Sequence, residues 1–205
     1  MVAIVNYGVG NLFSLKSSLT FLGIDCIVTE QPGELRAASH IILPGVGAFG
    51  DAAHQLRARG LDQVVIEQAN AGKPLLGICL GMQLLYERSC EYGNHLGLGL
   101  VPGEITALRP ALGGEPLKVP HMGWNRLETK KDCPLLDGMG QDRFVYYVHS
   151  YFAQVTGHTV ASSRYGQAEV TGLVRRGNVY GAQFHPEKSS KVGLEILRAF
   201  AHTTD

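Results

Sequence analysis

The sequence predicts an α/β protein with a central mixed, largely parallel sheet flanked by helices and a β-rich C-terminal half. Three observations predict it. Short apolar runs at 2–6, 25–29 and 40–43 alternate with stretches of helical spacing, as βα units of a parallel sheet do. From about residue 103 the pattern changes to short alternating runs separated by Pro/Gly turns. No linker composition separates the two halves, and 205 residues suit one domain that buries roughly 70% of its unfolded surface, so the chain reads as a single domain over 1–205.

The elements follow in order. Residues 2–6 are a buried strand ending in the turn Tyr7-Gly8-Val9-Gly10-Asn11, and Leu12, Leu15, Leu19 and Leu22 then recur at helical spacing until Gly23. Strands at 25–29 and 40–43 follow, then helices at 51–58 and 61–71. A fourth apolar run reaches Gly77-Ile78-Cys79-Leu80-Gly81, and a helix is expected over 80–88. Residues 89–102 are Gly-rich and loop-like. The β-rich half contributes runs at 104–108, 124–127, 144–148, 159–162, 172–174 and 179–184, with 111–115 as a mobile hairpin tip or loop. A closing helix starts at a Ser189 or Ser190 cap and buries Val192, Ile196, Leu197 and Phe200.

Composition narrows the function. Lys+Arg and Asp+Glu both number 18, so nothing points to a nucleic-acid or membrane-surface protein. No apolar stretch is long enough to span a bilayer, and the N-terminus lacks the basic n-region of a signal peptide. Cys26, Cys79, Cys90 and Cys133 have no C-x-x-C spacing, which suggests neither zinc nor a disulfide framework; a reducing, cytoplasmic setting is expected.

Gly77-Ile78-Cys79-Leu80-Gly81 has the G-x-nucleophile-x-G elbow pattern with Cys as nucleophile. Such a turn lifts the thiol to a helix N-terminus, where the dipole favours thiolate. The bland alternative is a small core Cys between packing glycines. His185 and Glu187 stand two apart around Pro186, and a His oriented by a carboxylate is the base–orienter half of a triad. Alone, that pair is most often a surface turn; beside the elbow it completes a Cys–His–Glu set. His149 is the rival base, with no acid near it in sequence. Residues 45–50 spell G-x-G-x-x-G, yet follow the third strand rather than the first, and Glu67 lies on a helix rather than at a strand end. A nucleotide-binding Rossmann-type module is therefore the alternative from another class. A Gly-rich loop whose N–H groups meet a developing negative charge suits Gly45-Val46-Gly47 better.

Pro44-Gly45-Val46-Gly47, Gly77 to Gln83 and His185-Pro186-Glu187 resemble, in order, the three signatures of class I (triad-type) glutamine amidotransferases, whose fold is flavodoxin-like. Asn6-Tyr7-Gly8-x-Gly10-Asn11, Pro120-His121-Met122-Gly123-Trp124-Asn125, Val148 to Tyr151 and Gln183 to Ser189 resemble, within that family, the glutaminase subunits of imidazole glycerol phosphate synthases. Glutaminases of other biosynthetic pathways are the nearest alternative. The resemblance implies that Cys79 attacks the glutamine amide, His185 moves the proton and Glu187 orients His185. It implies an oxyanion hole from the N–H groups of Leu80 and the Val46–Gly47 turn, and glutamine contacts at Gly45, Gln83, Glu91, Ser150 and Tyr151. It implies a heterodimer with a (β/α)8-barrel cyclase that receives the ammonia, with His121, Met122, Trp124 and Asn125 at the interface, and neither cofactor nor metal. Gly on both sides of Val46 makes that peptide easy to reorient, so the oxyanion hole is expected to form only when the liganded cyclase is present.

Overall fold

The computed structural model describes residues 1–204. The first half is wound as expected. Strand β1 (Val2–Val5) leads through α1 (Leu12–Phe21) to β2 (Cys26–Thr29). A single-turn helix, α2 (Pro32–Ala37), precedes β3 (His40–Leu43); α3 (Phe49–Ala58) and α4 (Leu61–Asn70) lead to β4 (Leu75–Ile78) and α5 (Leu80–Leu84). Helix α2 was not legible in the sequence because Leu35 is its one buried residue, too few for a periodic signal.

The predicted helix over 80–88 is corrected. It stops at Leu84, and Tyr86–Ser89 is strand β5. The carbonyls that would have continued the helix are taken by the returning chain: Leu98 N–H donates to Leu84 O at 2.8 Å, and Leu100 and Val101 N–H both donate to Leu85 O at 2.9 Å. Strands β6 (His95–Leu96) and β7 (Val101–Ala107) then join β5.

The 111–115 stretch is a loop rather than a hairpin tip. A helical turn, α6 (Leu108–Ala111), leads into it and residues 112–114 are turn, while Leu108 and Leu112 are buried with Phe152, Ala168 and Val170. The rest of the chain is β8 (His121–Arg126), β9 (Glu128–Thr129), β10 (Phe144–His149), β11 (Tyr151–Ala153), β12 (Thr159–Tyr165), β13 (Ala168–Arg176), β14 (Val179–Ala182) and α7 (Ser190–Ala201).

Eight strands make one sheet in the order β2-β1-β3-β4-β14-β13-β12-β9. Neighbours from β2 to β14 are parallel; β13, β12 and β9 extend the sheet antiparallel. The two halves of the sequence thus share one sheet. Alternating side chains of β1 feed two cores. Ala3 and Val5 face the layer of α2, α3 and α4, while Val2 and Ile4 face Leu15 and Leu19 of α1 and Ile196, Leu197 and Phe200 of α7. Strand β4 lies fully buried between β3 and β14, so whatever follows its C-terminal end is anchored by strand pairing on both sides.

Candidate active site

The turn after β4 is built on a strained residue. Cys79 has φ 53° and ψ −111°, a region where a non-glycine residue costs about 1–3 kcal/mol. Its neighbours hold it there: Cys79 N–H donates to Ala182 O at 2.7 Å, and Cys79 O accepts from Gln83 N–H at 3.1 Å. The flanking glycines serve close packing. A Cβ on Gly81 would lie 1.8 Å from Leu43 O, and one on Gly77 would lie 2.6 Å from Gly81 O. The G-x-C-x-G pattern therefore encodes a helix pressed onto two strands, with the strain carried by the cysteine.

His185 follows β14, so its strand neighbours that of Cys79. It is nearly buried, and Nδ1 lies 2.9 Å from Oε1 of Glu187. The pairing was expected from extended chain, but residues Pro186–Lys188 form a 3-10 turn that curls the carboxylate back. Ser189, expected as a helix cap, makes no capping bond; its Oγ donates to His185 O at 2.7 Å and accepts from Tyr146 N–H at 2.9 Å. Burial pulls the His185 pKa down, but the neighbouring Cys79 and Glu187 outweigh it and raise it to about 10. Nε2 of His185 is buried and completes no hydrogen bond among the described residues, the thiol included. Cys79 Sγ instead donates weakly to Val148 O and accepts from Gln183 Nε2, both at 3.8 Å.

A cleft of about 290 Å³ opens over these groups. Val46, Gly47, Cys79, Leu80, Gln83, Glu91, Ser150, Tyr151 and His185, all singled out from sequence, line it; Pro120, Val148 and His149 complete it. Gly45 does not line the cleft. It packs behind the elbow, where a Cβ would meet Gly81 N at 2.7 Å and Leu80 Cβ at 2.9 Å. Leu80 opens α5, so its N–H has no intrahelical acceptor. Gly47 has φ +98°, which lets the Val46–Gly47 turn fold over the cleft rim.

The opposite wall is built by backbone. Ser150 O accepts from Leu108 N–H at 2.9 Å and Tyr151 O accepts from Gln83 Nε2 at 2.9 Å, leaving N–H groups as this wall's remaining backbone function. Gln83 also donates to Gln183 Oε1 at 3.0 Å, so Gln183 connects Gln83 to the thiol. Gln183 and Ser189 belong to a stretch the sequence singles out, but nothing in their type or spacing reveals these bonds.

Glu91 is half-buried rather than a solvated surface acid. One oxygen accepts Phe49 N–H at 2.7 Å, and burial pushes its carboxyl above the usual carboxylate range despite that bond. It therefore caps α3, at the N-terminus the dinucleotide reading of Gly45–Gly50 would reserve for a pyrophosphate. A carboxyl group of the chain itself already occupies that place.

His149, the rival base, has a different environment. Its Nε2 lies 3.0 Å from His121 Nδ1, and burial first, then the His121 and His185 charges, lower its pKa to about 3. His121, expected at the partner interface, is instead buried: it is 3% exposed, between the rings of Tyr147 and Tyr165. Asn125 is half-buried and turned the same way. Strand alternation explains both, because Met122 and Trp124 take the outer face of β8 at 61% and 54% exposure. Among the described residues no group of three or more His, Cys, Asp or Glu is arranged to hold a metal ion. No helix among them is long and apolar enough to cross a membrane.

The glutamine amidotransferase class-I family model matches residues 3–203. The imidazole glycerol phosphate synthase subunit HisH of Bacillus cytotoxicus is 47% identical over 201 residues, covering 98% of this chain and 93% of that protein. HisH of Listeria innocua is 45% identical over 205 residues, covering 100% and 97%. A solved structure described as a glutamine amidotransferase superposes with TM-score 0.74 at 22% identity, covering 98% of this chain and 99% of that one. The elbow, the His–Glu turn and the cleft residues all fall within the matched residues 3–203, and the chain belongs to the class-I glutamine amidotransferase family, within its HisH group.

Proposed function

We propose that this chain is the glutaminase subunit of an imidazole glycerol phosphate synthase, acting as a single domain over 1–205. It hydrolyses glutamine and delivers the ammonia, in histidine biosynthesis, to a (β/α)8-barrel cyclase bound as a heterodimer in the cytoplasm. The observation that carries the reading is a strained cysteine and a carboxylate-paired histidine meeting in one cleft. Cys79 attacks the amide carbon, and the proton passes by way of His185 Nε2 to departing ammonia. Glu187 holds Nδ1–H and stabilises the imidazolium. Water then cleaves the glutamyl thioester. The N–H of Leu80 and that of the Val46–Gly47 turn receive the oxyanion; loss of one such donor typically costs about 2.7–4 kcal/mol. Glu91, Gln83 and the Ser150–Tyr151 backbone surround the glutamine.

Met122 and Trp124, exposed on the outer face of β8 near the cleft, suit the partner interface. Assembly of the oxyanion hole by the liganded cyclase avoids hydrolysis without an acceptor. Two assays test the reading. Cys79→Ala is expected to abolish glutamine-dependent synthesis by the complex and to spare synthesis from added ammonia. Wild-type glutaminase is expected to rise when cyclase and its nucleotide are added. Activity retained by Cys79→Ala would remove the central assignment, and equal rates with and without the partner would remove the gating.

A further inference from the structure

Asn125, His121 and His149 lie in one line of hydrogen bonds that ends on the Tyr151 carbonyl, and chemistry forces the direction of every proton in it. A carbonyl can only accept, so His149 Nδ1, 3.0 Å from Tyr151 O, carries a hydrogen. Neutral His149 then has a bare Nε2, and His121 Nδ1 must donate to it across 3.0 Å. His121 Nε2 is bare in turn and accepts from Asn125 Nδ2 at 3.3 Å. Asn125 is fixed from outside, because Nδ2 also donates to Arg164 O at 2.8 Å and Oδ1 accepts Arg126 N–H at 2.8 Å. The far end reaches the thiol, since Tyr151 O also accepts from Gln83, Gln83 donates to Gln183, and Gln183 donates to Cys79 Sγ.

We propose that His121 is a positioning residue for glutamine turnover: by donating to His149 it fixes the tautomer that pins the Tyr151 carbonyl, and so locks the Ser150–Tyr151 wall of the cleft to strand β8. This rests on the reading of that wall as a glutamine contact. Without the His121 donor, His149 Nε2 is a buried acceptor with no partner. The ring escapes that penalty only by moving its hydrogen to Nε2, which sets the Nδ1 lone pair against Tyr151 O. In the first case the ring that donates to Tyr151 O is no longer anchored at its other nitrogen; in the second the carbonyl loses that donor and keeps only Gln83. Both imidazoles are buried, so water does not substitute freely. Strand β8 meanwhile presents Met122 and Trp124 outward from the residues that alternate with the relay.

Two substitutions separate the donor from the ring. His121→Phe keeps a ring between Tyr147 and Tyr165 and deletes the donor. His121→Asn loses the ring and keeps an amide donor near the Nδ1 position. In the complex with cyclase, His121→Phe is expected to raise KM for glutamine about tenfold, the equivalent of one lost buried hydrogen bond, with kcat changed less than about threefold. His121→Asn is expected to stay within about threefold of wild type on both. The opposite ranking, equal impairment of the two, or a His121→Phe enzyme with wild-type KM would each overturn the proposal. Nitrogen-15 NMR of the full chain at neutral pH gives a second readout that needs neither substrate nor variant. Both histidines are expected as neutral Nδ1–H tautomers, and an Nε2–H tautomer or an imidazolium at either overturns the relay. Failure of wild-type glutaminase would instead strike the functional reading and leave the NMR result standing.

Discussion

Two buried histidine sites face the same cleft and prefer opposite charge states. His185 has a carboxylate oxygen 2.9 Å from Nδ1 and its pKa is raised to about 10; His149 has another imidazole 3.0 Å from Nε2 and its pKa is lowered to about 3. Burial acts on both in the same direction, against the proton. The partner decides the outcome. At His185 the Cys79 sulfur and the Glu187 carboxylate answer the imidazolium charge, whereas at His149 the second imidazole only donates one neutral hydrogen bond and repels a second cation. One site can therefore take up a proton during turnover, and the other can only hold geometry.

The comparison is broken most directly at Glu187. In Glu187→Gln the amide can still accept from Nδ1–H, but it brings no charge and can turn its NH2 toward the ring, favouring the wrong tautomer. The expected loss in glutaminase kcat/KM of the complex is about 10²–10⁴-fold, as for other triads deprived of their acid. Retention within tenfold would mean that Glu187 is not what makes His185 the base.

Much of this contrast was legible in the sequence. Glu187 stands two residues from His185 and no acid stands near His149, and that asymmetry alone orders the two histidines as their opposite pKa shifts do. The parallel half was legible too, since each βα unit declares itself through local periodicity. What stayed hidden depends on chain segments far apart. The end of α5 is set by Leu98, Leu100 and Val101, which compete for its last carbonyls. The inward turn of His121 depends on pairing between β8 and β10, which places it opposite His149. Gly45 shares a motif with Val46 and Gly47 yet packs behind the elbow, and no spacing rule distinguishes a residue that lines a cleft from one that supports it.

The next effect is on stability and separates the two sites by pH. The folded pKa values of His121 and His149, about 4 and about 3, lie below the unfolded value of about 6.5. A depressed pKa means the unfolded chain binds more protons, so their contribution is full above about pH 6.5 and is lost as pH falls through about 4 for His121 and about 3 for His149. For His121 alone this amounts to about 3 kcal/mol. His185 has the opposite sign. Its raised pKa makes its contribution full below about pH 6.5 and lost as pH rises through about 10, so it adds no slope on the acid side. Urea unfolding of wild type and His121→Phe from pH 7 to 4 checks this. The wild type is expected to lose more stability than the variant; parallel curves would show that the imidazole pair is not held neutral by the fold.

The smallest expected effect sharpens the comparison instead of breaking it. Two neighbours raise His185, the Cys79 sulfur and the Glu187 carboxylate, while burial opposes them. Cys79→Ala removes one of the two and leaves the 2.9 Å contact with Glu187 intact. An NMR titration of the His185 ring in that variant is therefore expected to give a pKa below about 10 but above that of His149. A value unchanged from wild type would mean that Glu187 alone charges the imidazole and that the thiol is a bystander at rest. That outcome would fit the unfilled hydrogen-bond position at Nε2. A fall to the depressed range of His149 would mean that the sulfur, and not the carboxylate, separates the two histidines.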